Sequence, residues 1–332
     1  MFLSRRLIVS CLLLAAGCFA IGLWSLQSGA VPLETGQIIA ALLGDAPRNI
    51  TLVVTEWRLP RVLMALLIGA ALGVSGAIFQ SLMRNPLGSP DVMGFNTGAW
   101  SGVLVAMVLF GQHLTAIALA AMAAMAGGIV TSLIVWLLAW RNGIETFRLI
   151  IIGIGIRAML VAFNTWLLLQ ASLETALTAG LWNAGSLNGL TWAKTWPSAP
   201  LIIVMLTGAA LLVRRMRLLE MGDDSACALG VSVERSRLML MLVAVSLTAA
   251  ATALAGPISF IALVAPHIAR RLSGTARWGL TQSALCGALL LLAADACAQQ
   301  LFMPYQLPVG VVTVSLGGIY LIVLLIQESR KK

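Results

Sequence analysis

Charged side chains are rare in this chain, and four places where they occur could do chemistry. The first is the run 56–61, Glu-Trp-Arg-Leu-Pro-Arg, which places Arg58 and Arg61 on either side of a proline. Arginine forms paired hydrogen bonds with carboxylates, and Pro60 favours the start of a helix. The two arginines therefore suit docking to an acidic partner protein, and the alternative is that they snorkel to a membrane interface.

The second place is the polar segment 218–230, which contains Gly-Asp-Asp-Ser and ends at Gly230. Asp223 or Asp224 is predicted to cap a short helix that begins near Ser225, and Gly230 is predicted to end it. Such a helix offers a contact surface to a second protein. The alternative is a connecting loop that contacts nothing.

The third and fourth places are an arginine and a histidine within apolar runs. Arg157 lies inside the run 147–169, where a charge is costly unless it faces a partner or water. Glu145 and Asp295 are the candidate acidic partners, and an anion that passes along a pathway is the alternative. His267 is predicted to be a hydrogen-bonded structural residue rather than a ligand.

The sequence lacks the motifs of the common catalytic sites. It has no G-x-x-x-x-G-K-[ST] phosphate loop, no H-E-x-x-H zinc motif and no G-x-S-x-G nucleophile motif. It has two histidines, and its five cysteines form no C-x-x-C pair, so neither a metal site nor a disulfide framework is expected. We expect no enzyme activity, no cofactor and no metal, and any ATP hydrolysis would belong to another chain.

The composition requires a membrane. Apolar residues make up 60% of the 332 and charged residues 10%, whereas soluble domains carry about 25% charged residues. The mean hydropathy is +0.98. The net charge of +9 does not indicate nucleic-acid binding, because the basic residues lie between apolar runs, as determinants of membrane topology do.

Ten apolar segments are predicted to cross the bilayer, since one crossing needs about 20 apolar residues. They lie near residues 7–26, 60–82, 92–110, 114–140, 147–169, 199–213, 236–255, 257–271, 278–301 and 307–326. Two are weak, because 199–213 is short and 257–271 contains Pro266. The first resembles a signal peptide that ends at Cys18, but it runs on to about Leu26, which predicts a retained helix.

The positions of the basic residues support this count. If the N-terminus is cytoplasmic and the chain alternates, sixteen of the 21 basic residues lie inside. They are Arg5, Arg6, Arg84, Arg141, Arg148, Arg214, Arg215, Arg217, Arg235, Arg237, Arg270, Arg271, Arg277, Arg330, Lys331 and Lys332. The pattern predicts one all-α membrane domain, 1–332, with ten transmembrane helices and both termini in the cytoplasm. Glycines at close spacing, such as Gly69, Gly73 and Gly76, predict close helix packing, and the alternative is that they are helix breakers.

Four blocks together resemble the FecCD-type permeases of ABC importers, which carry iron–siderophore complexes, haem and cobalamin. They are Arg58-Leu-Pro-Arg61 with the glycine-rich run 69–76, the block 84–90 (Arg-Asn-Pro-Leu-Gly-Ser-Pro), the block from Gly256 to His267, and the block from Leu307 to Thr313. The resemblance covers nearly the whole chain.

The resemblance implies a ten-helix permease of the bacterial inner membrane. It implies a second homologous permease subunit in a heterodimer, two copies of an ATP-binding subunit and a periplasmic siderophore-binding protein, with no nucleic acid. The implied cargo is a ferric siderophore, ferric enterobactin in the first place. Another ferric siderophore, haem or cobalamin is the alternative.

The resemblance also implies roles for particular residues. Arg58 and Arg61 match outer arginines that meet glutamates of the binding protein, while Gln299 stands where relatives carry a further arginine. The segment that couples to the ATPase would include Leu219, Gly222, Asp223, Ala226, Leu229 and Gly230. Thr146 matches the neighbourhood of the cytoplasmic gate, and Arg157 would face the translocation pathway.

Two other classes of protein compete with this interpretation. An ion-driven secondary transporter needs carboxylates inside the membrane, and Asp295 is the clear candidate. A structural subunit of a membrane enzyme complex would leave the arginines at residues 58 and 61 without a function.

Overall fold

The computed structural model describes residues 5–29, 31–110, 117–140, 146–196, 198–274, 278–301 and 305–329, which form fifteen α-helices and one π-helical segment, Val53–Arg58. The α-helices are α1 Arg5–Gln27, α2 Thr35–Leu43, α3 Arg48–Leu52, α4 Leu59–Met83, α5 Phe95–Phe110, α6 Ile117–Ala139, α7 Thr146–Gln170, α8 Leu173–Asn183, α9 Trp192–Thr195, α10 Ala199–Glu220, α11 Asp223–Ala228, α12 Val233–Ala255, α13 Ile261–Ser273, α14 Leu280–Gln300 and α15 Val309–Ser329.

Seven of the described helices are long and apolar enough to cross a membrane: α1, α4 with the turns before it, α6, α7, α10, α12 and α14. Two further helices, α5 and α15, are apolar but have shorter apolar stretches. The thirteen-residue α13 is shorter still and contains Pro266. Each of the ten predicted apolar segments coincides with one of these ten helices, so the all-helical, multi-pass architecture is confirmed.

Helix α4 lies at the centre of the helix bundle. In the most apolar stretch of the span Arg48–Met83, 78% of the residues are buried, against 17% in α7 and in α10. Helices α12 and α14 are also mostly buried, at 72% and 61%. A helix that is apolar on all sides belongs in a core or in lipid. Here α4, α12 and α14 form the protein core, while α1, α6, α7 and α10 surround it.

Glycines let α4 and α14 approach until their backbones touch. A Cβ atom at Gly69 would lie 2.4 Å from the carbonyl oxygen of Gly287, and one at Gly73 would lie 2.1 Å from that of Ser283. No side chain fits at either distance. The prediction that these glycines serve helix packing is therefore confirmed, and dispersion between the two backbones contributes to holding the helices together.

Two connections fold into the bundle rather than over its surface. The connection 84–94 follows α4, and its residues 88–90 are buried. At its far end Gly94 has φ +80° and packs against Arg157 of α7. The connection 256–260 precedes α13, and Phe260 has φ +72°. Irregular backbone of this kind is tolerated at membrane depth only where protein or a cavity covers it.

Candidate functional site

Arg58 holds the end of α1. Its Nη1 donates to the carbonyl oxygens of Leu26 at 2.7 Å and Gln27 at 3.3 Å, and its Nη2 donates to that of Val31. The last carbonyls of a helix have no partner within the helix, and a cation near them is favourable. The guanidinium group of Arg58 therefore stabilises the C-terminus of α1.

Arg61 forms a bidentate ion pair with Asp295 of α14. Its Nε donates to Oδ2 at 2.9 Å and its Nη2 to Oδ1 at 2.8 Å. The side chains are 13% and 2% exposed, so the pair is largely removed from water. Gln299 Nε2 also donates to Asp295 Oδ2, at 2.8 Å. The carboxylate is thus fully satisfied and joins α4 to α14.

These contacts correct one interpretation and qualify another. Asp295 is not a partner of Arg157, because both of its oxygens bind Arg61 and one also binds Gln299. Glu145, the other candidate partner, lies outside the described residues. Docking of an acidic protein through Arg58 and Arg61 stays a prediction, and both guanidinium groups already have partners within the chain.

The segment 218–230 contains a short helix, as predicted, but the helix begins differently. Helix α11 begins at Asp223, and Gly222, with φ +115°, takes the N-cap position without a side-chain cap. The prediction that an aspartate caps a helix near Ser225 is therefore wrong. Leu229 is the C-cap and Gly230 has φ +79°, so the predicted end of the helix is confirmed.

Asp223 anchors α11 to two long helices instead. Its Oδ1 accepts from Arg84 Nη2 at 2.8 Å, and Arg237 Nη2 donates to Oδ1 at 2.9 Å and to Oδ2 at 2.8 Å. Arg84 ends α4 and Arg237 lies in the first part of α12. Arg84 Nη2 also donates to the carbonyl oxygen of Leu219 at 2.9 Å. One carboxylate thus connects α11 with α4 and α12.

Other residues of the segment point away from the bundle. Asp224, Ser225, Cys227 and Leu229 are exposed, whereas Ala226 is buried. Leu229 is 60% exposed, so an apolar side chain and an acidic one share the same small surface. The segment therefore has one face anchored to the chain and one face open.

Arg157 lines a cavity of about 570 Å³ between α5, α7, α15 and the end of α8. The polar residues that line it with Arg157 are Asp91, Asn96, Thr97, Asn164, Thr165, Asn183, Ser259 and Ser315. Its apolar lining includes Trp100, Val161, Leu168 and Val314. Cavities of this size bind small molecules, and a few polar groups on an apolar wall set their orientation.

Asp91 is held at this cavity by a chain of hydrogen bonds. The side-chain amide of Asn96 donates to Asp91 Oδ1, and the backbone N–H of Phe260 donates to Oδ2 at 3.4 Å. Asn96 Oδ1 in turn accepts from the hydroxyl of Thr252, at 2.9 Å. Asp91 and Arg157 line the same cavity. Within the described residues, Asp91 is thus the acidic group that shares the cavity with Arg157.

Two further side chains give the cavity wall its chemistry. Asn164 is 5% exposed, and its Oδ1 atom is buried without a hydrogen-bond partner in the structure. Trp100 is 4% exposed, and its ring stacks on Trp182 with centroids 5.0 Å apart. A buried amide oxygen without a partner is costly, so Asn164 is an unusual residue for this wall.

The remaining predicted residues have simpler places. Thr146 is the first residue of α7, and residues 141–145, which precede it, lie outside the described part of the chain. His267 of α13 shares a hydrogen bond with the hydroxyl of Tyr320 in α15, through Nδ1. The prediction that His267 is a hydrogen-bonded structural residue is confirmed.

The sequence analysis missed Asp91, Asn96 and Asn164. Asp91 follows the block 84–90 directly and precedes an apolar run, so an acidic residue at the start of a membrane segment was the available signal. The two asparagines gave no signal of this kind, because a lone amide in an apolar helix fits many roles.

Comparisons with known proteins agree with one another over nearly the whole chain. The FecCD transport family matches residues 14–327. The chain is 86% identical over 331 residues to the ferric enterobactin transport system permease protein FepG of Escherichia coli (strain K12). The aligned region covers 100% of this chain and 99% of that protein. It is 37% identical over 307 residues to the achromobactin transport system permease protein CbrC of Dickeya dadantii (strain 3937), with 92% and 88% covered.

A solved structure has the same fold. It is described as an inward-facing conformation of a metal-chelate type ABC transporter, and it superimposes with a TM-score of 0.85 at 25% sequence identity. The match covers 96% of this chain and 98% of that chain. The two chains thus share one fold over nearly their whole lengths.

Proposed function

The chain belongs to the FecCD transport family, and on that premise we propose that it is the membrane-spanning permease subunit of an ABC importer for ferric enterobactin. The observation that carries this proposal is the 86% identity to FepG over the full length of both chains. Permeases for achromobactin and for other iron chelates are 31–38% identical. Another ferric siderophore, haem or cobalamin is the alternative cargo.

The proposed topology has ten crossings with both termini in the cytoplasm. Seven helices have the length and composition for a crossing, and α5, α13 and α15 supply the other three. The connections 84–94 and 256–260 fold into the bundle. They therefore shorten the distance across the membrane that α5 and α13 must cover. The distribution of basic residues supports this orientation.

A loaded periplasmic siderophore-binding protein docks at the Arg61 end of α4. Arg58 and Arg61 contribute positive charge there, and acidic groups on the binding protein are the expected partners. Since both arginines also bind groups of this chain, docking uses their remaining N–H donors. Gln299, which bonds to Asp295, brings no charge to this surface.

Cargo leaves the binding protein for a pathway between this chain and a second, homologous permease. Helix α7 suits a place at that pathway, because it is only 17% buried and carries Arg157 at a polar cavity. Thr146, at the start of the same helix, lies near the cytoplasmic gate. Ferric enterobactin is anionic and aromatic, which suits a cavity with an arginine and a tryptophan in its wall.

Two copies of an ATP-binding subunit move the permeases from the cytoplasmic side. The open face of the segment 218–230 is the proposed contact, and its anchored face passes the movement to α4 and α12 through Asp223. Transport by this route needs a helix arrangement with two states, each favoured by a different partner. An ion-driven mechanism that uses Asp295 is disfavoured, because Asp295 is bound by Arg61.

Iron uptake in cells that lack only this chain tests the proposal. Uptake of ferric enterobactin, of a ferric hydroxamate and of cobalamin is compared, with complementation by the intact gene and by a version in which Gly222–Ala226 is replaced. We expect loss of ferric enterobactin uptake alone, restored by the intact gene only. If uptake of another cargo were lost instead, the chain would still be an importer subunit but for a different substrate. If no uptake were lost, a structural subunit would be favoured.

A further inference from the structure

The cavity at Arg157 contains two opposite charges among its described lining residues. Asp91 supplies the carboxylate and Arg157 the guanidinium group. The two residues belong to elements in direct contact, since a Cβ atom at Gly94 would lie 2.8 Å from the Cβ of Arg157. The carboxylate and the guanidinium group therefore face the same cavity, where two opposite charges attract each other.

The two charges differ in their freedom to move. Asp91 accepts hydrogen bonds at both oxygens, from Asn96 and from the backbone of Phe260. Phe260 is itself fixed, because its ring packs directly against Gly317. A Cβ atom at Gly317 would lie 2.3 Å from Cγ of Phe260. Arg157 is exposed and makes no hydrogen bond within the described part of the chain. The Asp91 carboxylate is held in place, whereas the Arg157 guanidinium group can turn toward a ligand.

We propose that Asp91 is the counter-ion of Arg157 and sets how tightly the cavity holds an anionic group of the transported chelate. The inference rests on the proposed function, because it assigns a task to a residue of the transport pathway. Arg157 binds the anionic group directly, and Asp91 acts through Arg157.

The physical need for such a counter-ion comes from release. A lone arginine at a cavity within a membrane protein attracts an anion. A transport site must bind its cargo well enough for the cargo to enter and weakly enough for it to leave. The fixed carboxylate of Asp91 offsets part of the arginine charge and so keeps the site within that range.

The cavity wall indicates the chemical class of the ligand group. Arg157 suits negatively charged oxygen atoms, and Asn164 adds a side-chain amide to the wall, a group that pairs with another amide. The ring of Trp100 and the side chain of Leu168 offer an apolar wall for an aromatic ring. A catecholate joined to an amide has all three properties.

Equilibrium binding and maximal transport rate, measured separately, test the inference. The complete transporter is placed in lipid nanodiscs, and ferric enterobactin is titrated by quenching of tryptophan fluorescence, with a neutral ferric trihydroxamate as comparison. The maximal rate is measured in proteoliposomes with saturating loaded binding protein. The variants are Asp91→Asn, Arg157→Gln and the double variant, and Asp45→Asn, an exposed aspartate outside the cavity, is the matched control.

Asp91→Asn is expected to lower the Kd for ferric enterobactin about fivefold and to lower the maximal rate by a similar factor. Arg157→Gln is expected to raise the Kd, and in that background Asp91→Asn lowers the Kd much less than it does when Arg157 is present. The Kd for the neutral chelate does not change. The inference is wrong if Asp91→Asn reduces assembly and rate but leaves the Kd unchanged. It is also wrong if Asp91→Asn shifts the Kd by the same factor with and without Arg157.

A second variant covers the case in which Asp91→Asn does not assemble. Asn164→Asp adds a carboxylate to the same wall, so binding of ferric enterobactin weakens about fivefold when Arg157 is present and less in the Arg157→Gln background, while the neutral chelate is unaffected. An equal change in the Kd with and without Arg157 would overturn the inference. Failure of the proposed function looks different, because the unaltered transporter would then move no ferric enterobactin at all.

Discussion

The two ends of α4 are each fixed by an arginine–carboxylate pair with a shortest distance of 2.8 Å, yet the two pairs lie in opposite surroundings. At the Arg61 end the side chains are 13% and 2% exposed, and one acid meets one base in a bidentate pair. At the Arg84 end, Arg84 and Asp223 are 46% and 42% exposed, and Asp223 is shared with Arg237, which is 13% exposed. Equal distances therefore do not imply equal energies.

The difference separates a structural role from a positioning role. A buried pair is strongly destabilised when one partner is removed, because the other charge is left without compensation. An exposed pair contributes little to stability, since water and salt screen it. The Arg61 end thus fixes the fold of α4 against α14, while the Arg84 end fixes where α11 lies.

The largest effect is expected when the buried pair is broken. Asp295→Asn leaves Arg61 without a counter-ion, and we expect a loss of about 3–5 kcal/mol in the free energy of unfolding. Thermal unfolding of the purified chain in detergent measures this loss. An unfolding temperature equal to that of the wild type would contradict the contrast between the two ends.

Replacing both partners of that pair separates stability from docking. In Arg61→Met with Asp295→Leu, no charge remains buried, so much of the lost stability returns. If uptake of ferric enterobactin returns with it, Arg61 is not needed for docking. If the protein folds and uptake stays low, the docking role predicted for Arg61 gains support.

A smaller effect is expected midway along α4. Gly73→Ala places a Cβ atom 2.1 Å from the carbonyl oxygen of Ser283, and we expect a loss of about 1–3 kcal/mol from overpacking. Gly180→Ala in α8 is the control, because nothing lies within 4 Å of the added atom. Thermal unfolding distinguishes the two, and equal behaviour would mean that α4 and α14 can separate without cost.

The smallest effect on stability is expected at the exposed end, together with a large effect on transport. Asp223→Asn should lower the free energy of unfolding by no more than about 1 kcal/mol. It should lower transport per ATP hydrolysed about fivefold or more, because α11 is no longer anchored to α4 and α12. Reconstituted transporter measures both ATP hydrolysis and transport.

The neighbouring aspartate sharpens this test. Asp224 is exposed and belongs to the open face of α11, so Asp224→Asn changes contact with the ATP-binding subunit and leaves transport per ATP hydrolysed unchanged. A loss of the same size in both variants would show that Asp223 has no special part in positioning the segment.

Much of the fold could be predicted from the sequence because the relevant physics is local. Apolar runs of the length of a bilayer crossing must become helices, and all ten predicted segments coincide with helices. Glycine spacing in 69–76 indicated close packing, and Gly230 indicated the end of α11, since both depend on the absence of a side chain.

The partners of the charged residues could not be predicted in this way. Asp295 lies 234 residues from Arg61, and Asp223 lies 139 residues from Arg84. Which distant charges meet is decided by helix packing, so the capping role predicted for Asp223 and the pairing of Asp295 with Arg157 were both wrong. Asp91 was missed because only the inward fold of the connection 84–94 brings it to Arg157.

The distance along the chain between Arg61 and Asp295 also has a consequence for biosynthesis. At about 5–20 residues per second, the ribosome needs roughly 10–50 s to reach Asp295 after Arg61 has been made. During that interval Arg61 has no counter-ion from α14 and stays near the lipid headgroups, where a charge costs less than in the bilayer interior. The ion pair that joins α4 to α14 therefore forms only after α14 has been made, late in the synthesis of the chain.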